Sequence, residues 1–332
     1  MTGLPRNPRR SPWLQRDEQL EEEHMKPKPC CRPILRVFAV SICLMCVGSL
    51  LFSTGVENSK AADEKKKAAK LDRPKLLRVF LSEFVEITPG QGQFPKSFQM
   101  GSAGGPKSEQ PTRTVTLDHS FFMAKYEVPQ NLYEAVMGRN PSVWGGPRNS
   151  VEMMTWQEAN LFCQRASKLL RDTELIEATE EIRLPSEAEW EYCCRAGTKT
   201  AYSFGEQART ALDTGNKASH LDAWGWHTGN AKGNDPPVGA LKPNPWGLYD
   251  MHGYLWEFVA DAWHENYLGG PVDGNRWGGG RNSIQRVMRG GSWRDRFELL
   301  QSTTRWAIPE HVRSDAIGFR CVKAKVRKAS QR

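Results

Sequence analysis

At 332 residues, with 39% hydrophobic and 25% charged side chains, the chain can form one large globular domain or two small ones. Its net charge of +8 sits at the ends: residues 1–75 carry 15 basic against 9 acidic groups, residues 323–332 carry 5 basic and no acidic ones, and residues 76–322 carry 26 against 29. A body with an acidic excess excludes the basic footprint of a nucleic-acid-binding domain, so no nucleic-acid partner is expected.

Residues 1–36 form a basic, polar N-terminal segment, with Met25 as a second plausible start. An uncharged apolar run from Val37 to Phe52 follows, preceded by Lys26, Lys28, Arg32 and Arg36 and trailed by Ser59-Lys60-Ala61. That order is the order of a secretory signal. Extended to Val56 the run also approaches the roughly 20 residues a spanning helix needs. Residues 37–56 are therefore expected to act as a signal or a membrane anchor, with the basic flank held inside and the rest of the chain sent out. Both alternatives place the body in an extracytoplasmic compartment, periplasmic or secreted. Residues 57–75, rich in Lys, Ala and Glu, read as a charged linker.

The texture changes near Leu76. Phe80, Phe84, Val85 and Ile87 ahead of Thr88-Pro89-Gly90 predict a strand and a turn, and Val115–Leu117 with Phe121–Met123 predict further strand. Two helices carry capping-box signatures. Thr155 with Glu158 opens one over 156–170, and Ser186 with Glu189 opens another over 187–195. From 197 to 320 the chain is rich in Gly, Pro, Asn and Trp but poor in periodic runs. Its eight tryptophans exclude disorder, so an irregular, loop-dominated fold is expected there. Residues 323–332 read as a solvated basic tail. Of eight cysteines, Cys163, Cys193, Cys194 and Cys321 lie in the body, and no C-x-x-C pair supports a zinc or thioredoxin-type site.

A series of phrases then runs along the body in a fixed order. It includes Lys125-Tyr126-Glu127-Val128-Pro129, Asn140-Pro141-Ser142 and Arg183-Leu184-Pro185-Ser186-Glu187-Ala188-Glu189-Trp190-Glu191. Next come Gly247-Leu248-Tyr249-Asp250-Met251-His252-Gly253, Trp256-Glu257-Phe258, Arg289-Gly290-Gly291-Ser292-Trp293 and Gly318-Phe319-Arg320-Cys321. Over residues 76–322 the chain resembles the formylglycine-generating (sulfatase-modifying factor) superfamily, as a divergent, bacterial-type member. The resemblance implies an irregular α+β fold, loop-rich and related to the C-type lectin fold. It implies a substrate cleft walled by Ser292 and Arg305, with Trp293 and Phe258 as further cleft candidates, and a disulfide between Cys163 and Cys321. The Gly290-Gly291 turn is expected to let backbone approach a ligand closely. Arg183, Glu187 and Trp190 are expected to be structural, the charges buried as a pair and the indole filling core.

The chain departs from the family pattern at two places. Aerobic formylglycine generation needs two cysteines shortly after the Gly-Gly-Ser turn, where their thiolates bind copper. No cysteine occurs between Cys194 and Cys321, so copper is not expected. The family's calcium loop carries Gly-Asn before the aliphatic-Trp-Glu motif, whereas Gly253-Tyr254 stands here. Calcium then rests on Glu257 and backbone carbonyls, short of the six to eight oxygens it takes. His220, His227, His252, His264 and His311 show no ligand spacing and read as structural.

Two functions stay open from the sequence. The first is an accessory module that grips an exported protein or glycan, such as a sulfatase, without copper chemistry. The second is an oxidoreductase of the same superfamily that matures sulfatases or another exported substrate without cysteines.

Overall fold

A computed structural model describes residues 72–279 and 283–326. The N-terminal segment, the apolar run 37–56 and most of the 57–75 linker lie outside the described residues. The elements run α1 (Arg73–Ser82), β1 (Phe84–Ile87), β2 (Ser97–Met100), β3 (Arg113–Thr116), β4 (Phe121–Ala124), α2 (Gln130–Met137) and α3 (Trp156–Asp172). Then follow β5 (Glu180–Arg183), α4 (Glu187–Arg195), β6 (Trp256–Ala262), β7 (Gln285–Arg289), β8 (Arg305–Pro309), β9 (Ile317–Gly318) and β10 (Val322–Lys325).

The two helices with capping boxes form where the sequence places them. Thr155 and Ser186 each accept the backbone N–H three residues on, and Glu158 and Glu189 reach back to the cap. Three readings need correction. The strand expected from Phe80 begins only at Phe84, because Leu77 and Phe80 share the buried face of α1, which Asp72 caps from within the expected linker. The stretch 115–123 is two strands of different sheets. The expected tail is β10 as far as Lys325: Val322 and Ala324 face the core, and Lys323 lays its ammonium 3.9 Å from the Phe122 ring centre and 2.7 Å from Glu180. Aliphatic stems of lysine routinely cover apolar surface in this way.

The strands form two four-stranded sheets, ordered β1-β4-β10-β5 and β8-β7-β6-β9, and a β2–β3 pair. All pairings are antiparallel except β6 with β9. The chain's end therefore closes the first sheet between β4 and β5. Helix α3 lies against β5, and Phe162 stacks on Tyr133 of α2 and meets Phe319 edge-on.

Helix α4 is buried over its whole length although four of its nine residues are charged. Each acid has its own cation. Glu187 is gripped by Arg305 at 2.6 and 2.9 Å, Glu189 by Arg183 at 2.7 and 2.8 Å, and Glu191 by Arg195 at 2.9 Å and by Arg289. Arg183 is thus paired as expected, but with Glu189 rather than Glu187. Trp190 fills the core and donates its indole N–H to Glu257 at 2.9 Å. Buried charges persist only with such partners, and here the pairs tie α4 to β5, β7 and β8 through Arg183, Arg289 and Arg305.

Candidate functional site

The Gly290-Gly291 turn packs closely against protein. Both residues hold positive φ, and a Cβ on Gly291 would stand 2.7 Å from Leu300. Ser292 donates its hydroxyl to Asp295 at 2.6 Å, and the same carboxylate accepts the Ser292 N–H and the Trp256 indole N–H. Ser292 and Phe258 are fully buried and Arg305 is 2% exposed. The expectation that these three wall a cleft is corrected. Arg305 spends its donors on Glu187, Ser108 O and His264 O and lies between Trp263 and Tyr267.

Trp293 has the other fate. The Ser292–Asp295 turn and a bond from its own N–H to Tyr254 O aim it outward, half-buried, into a surface groove. Trp144, Asn234, Asp235 and Asp315 complete the walls. Trp144 is 42% exposed. Its loop is tethered by Glu152, which accepts the N–H groups of Val143 and Trp144, and by Gln130, which donates to Trp144 O. Both indole N–H groups point to Asp315, Trp144 to the carboxylate and Trp293 to the backbone oxygen. Arg294 lies 4.7 Å over the Trp293 ring and pairs with Asp315. Asp235 is held by Asn149 and Tyr254. The groove thus offers two indoles and the carboxyls of Asp235 and Asp315, with the Arg294 guanidinium beside Trp293. The recess itself holds only about 10 Å³, so a ligand would lie across the indoles, whose faces stack on planar or sugar rings.

Burial raises the Asp235 pKa, and burial takes Glu152 up to about 7. The sign for Glu152 follows from linkage. With the folded value above the unfolded one, the group's contribution is intact below pH 4.5 and is lost as pH rises through 7. Glu152→Gln should therefore gain stability relative to the parent between those values and run parallel to it above them. Urea midpoints at pH 4, 6 and 8 check this, and an offset independent of pH would contradict it.

The calcium expectation at Glu257 does not fit the donors present. Both of its oxygens are taken by Arg320 at 2.7 Å, and Trp190 adds a third donor. Tyr254, in the Asn position, sits at φ 82° and gives its hydroxyl to Asp235 and Pro236 O. Among the described residues no group of three or more His, Cys, Asp or Glu is arranged to hold a metal ion. His252 is buried as a neutral ring, its pKa lowered by burial to about 4, and His227 bonds Asp222.

The expected Cys163–Cys321 bridge is not closed in this structure. The two sulfurs approach to 3.9 Å as buried free thiols, van der Waals neighbours rather than the roughly 2 Å of a bond. Cys193 and Cys194 are also buried, and burial pushes the Cys194 thiol up to about 12, which suppresses its thiolate.

Trp144, Glu152, Asp235 and Asp315 were not among the residues expected at a site.

The chain is 30% identical over 220 residues to the chaperone protein LppX of Paenibacillus barcinonensis, covering 56% of this chain and 74% of that one. It is 30% identical to the inactive C-alpha-formylglycine-generating enzyme 2 of Bos taurus, over 57% of this chain and only 56% of that protein's length. The solved structure of PvdO from Pseudomonas aeruginosa superposes with a TM-score of 0.57 at 27% identity, covering 69% of this chain and 91% of that one. The α+β architecture is that of the formylglycine-generating enzymes, consistent with a C-type-lectin-like fold. Residues 80–325 match the model of the sulfatase-modifying factor enzyme 1-like domain, and the chain belongs to that family.

Proposed function

We propose that this protein is an exported accessory domain of the sulfatase-modifying factor family that binds a peptide or glycan chain in the Trp144–Trp293 groove and does not generate formylglycine with copper. One observation carries the reading. The segment that follows the Gly-Gly-Ser turn holds Asp295, Phe297, Leu299 and Leu300 against the core, and no sulfur. Copper-thiolate chemistry has no ligand there, while the turn still presents an aromatic surface. The names of the inactive enzyme 2 and of the chaperone LppX, both similar to this chain, support a non-catalytic role. The test is binding of the purified protein to peptide and glycan arrays. Trp293→Ala and Trp144→Ala should each cut the retained signal about tenfold or more, as loss of a central aromatic anchor does. Retention of signal by both variants, or no ligand on either array, would contradict the reading.

Export rests on the apolar run 37–56 and also bears on the cysteine pair. In an oxidising compartment Cys163 and Cys321, whose sulfurs lie 3.9 Å apart, are expected to join and close a loop of 158 residues. Peptide mapping of protein secreted by its native route should find the linked 163–321 peptides. Two free thiols at these positions would contradict export to such a compartment.

A further inference from the structure

Strand β2 pairs with β3 along one edge only. Leu117 N–H bonds Lys96 O, so the even-numbered residues of this stretch face β3 and the odd-numbered ones face away. The outward residues at the two ends are taken by α4. Tyr192 donates its hydroxyl to Pro95 O at 2.8 Å. At Gly101, the N–H goes to Glu191 and the carbonyl accepts from Arg195. Between them, the N–H and C=O of Ser97 and of Gln99 have no hydrogen-bond partner among the described residues. They open on a cleft of about 450 Å³ whose far wall is the Gly197–Ala201 loop. That loop is turned back by the left-handed Ala196 and Gly197 at the end of α4. Phe98, packed on Tyr192 at 5.3 Å, forms part of the lining.

We propose that this cleft takes an extended, acidic polypeptide segment by strand addition to the free edge of β2. The edge repeats one donor and one acceptor every second residue, a pattern that a polypeptide in β conformation matches along its length. The charged residues lining the cleft are Arg195, Lys199 and Glu206. Arg195 is held by Glu191, whereas exposed Lys199 makes no ion pair among the described residues. An Asp or Glu side chain on the added strand would complement it. The open stretch accepts about three residues, roughly 10 Å of strand. This surface is separate from the Trp144–Trp293 groove and does not depend on the function proposed for that groove.

The test selects binders from a displayed library of random decapeptides against the full-length protein. Synthetic copies are then measured against variants. Gln99→Pro, which removes the outward N–H on an edge strand together with the side-chain bond to Thr114, should weaken binding about tenfold. Gln99→Ala, which keeps the main chain, should leave it within about twofold, since an exposed side chain carries little energy. Binders lost to Trp293→Ala belong to the Trp144–Trp293 groove and are set aside; of the remaining binders, Lys199→Glu should weaken the acidic ones. Independently of whether Gln99→Pro folds, methylating the peptide's amide nitrogens one at a time should abolish binding at alternate positions only. The proposal is overturned by a selection with no binders. It is equally overturned by binders that tolerate Gln99→Pro in the folded protein, by N-methyl losses without a period of two, or by a glycan-array signal that Lys199→Glu removes while no peptide binds.

Discussion

Arg320→Met should destabilise the domain by roughly 3–5 kcal/mol, because breaking a buried pair strands the remaining charge. Arg320 is fully buried. It grips both oxygens of Glu257 and also donates to the carbonyls of Ala124, Lys125 and Tyr249, joining β4, β6 and the loop that precedes β6. It is the cation for three carboxyls. Besides Glu257, burial together with Glu257 pushes the Glu127 pKa well up, and burial takes Asp250 to about 6, with Arg320 opposing both shifts. Without the guanidinium the folded-state pKa values of Glu127 and Asp250 rise further, and both carboxyls take protons more readily. The loss should thus be smaller near pH 5 than near pH 8. Thermal unfolding at both pH values checks it, with a fall of roughly 6–20 °C expected at the higher one for a domain of this size. A variant within 2 °C of the parent at pH 8 would show that Arg320 is not the keystone of this layer.

The Glu187–Arg305 pair yields the second large effect. Although burial works against ionisation, Arg305 and Arg289 hold the Glu187 carboxyl below its usual range. Tyr267 adds a hydroxyl donor at 3.0 Å. Removal of one partner should cost about 3–5 kcal/mol, whereas removal of both leaves no bare charge. Glu187→Leu with Arg305→Met should therefore recover part of the single-variant losses, and urea unfolding of the four proteins gives the coupling. Additive losses would mean that each residue acts through its other contacts, Arg305 through Trp263 and Tyr267. A cleft role for Arg305 predicts the opposite balance, with ligand binding lost and stability kept.

The two helices with capping boxes were readable because cap chemistry and hydrophobic spacing are both local, and Thr155 and Ser186 satisfy them within four residues. Helix α1 was not, because Phe80 and Phe84 lie where a helix passes into a strand and apolar residues suit both. Strand β10 was hidden by its lysines, whose charges mask the inward alternation of Val322 and Ala324. At the site, the Gly-Gly-Ser-Trp phrase announced a sharp turn but not which of its side chains face out. Ser292 turns in to Asp295, and Trp293 turns out. An arginine's composition is the same in a cleft and in a buried pair, so Arg305 was placed on the wrong side of that line. Trp144, Asp235 and Asp315 come from three loops far apart in the chain, and no periodic signal in any one of them foretells their meeting.

The absence of copper-dependent formylglycine formation is tested most directly by incubating the purified protein with Cu(I), oxygen and a peptide carrying Cys-x-Pro-x-Arg, and reading the peptide by mass spectrometry. The cysteine should keep its sulfur to the level of a control without protein. Copper-dependent conversion of that cysteine to formylglycine above the control would contradict the account.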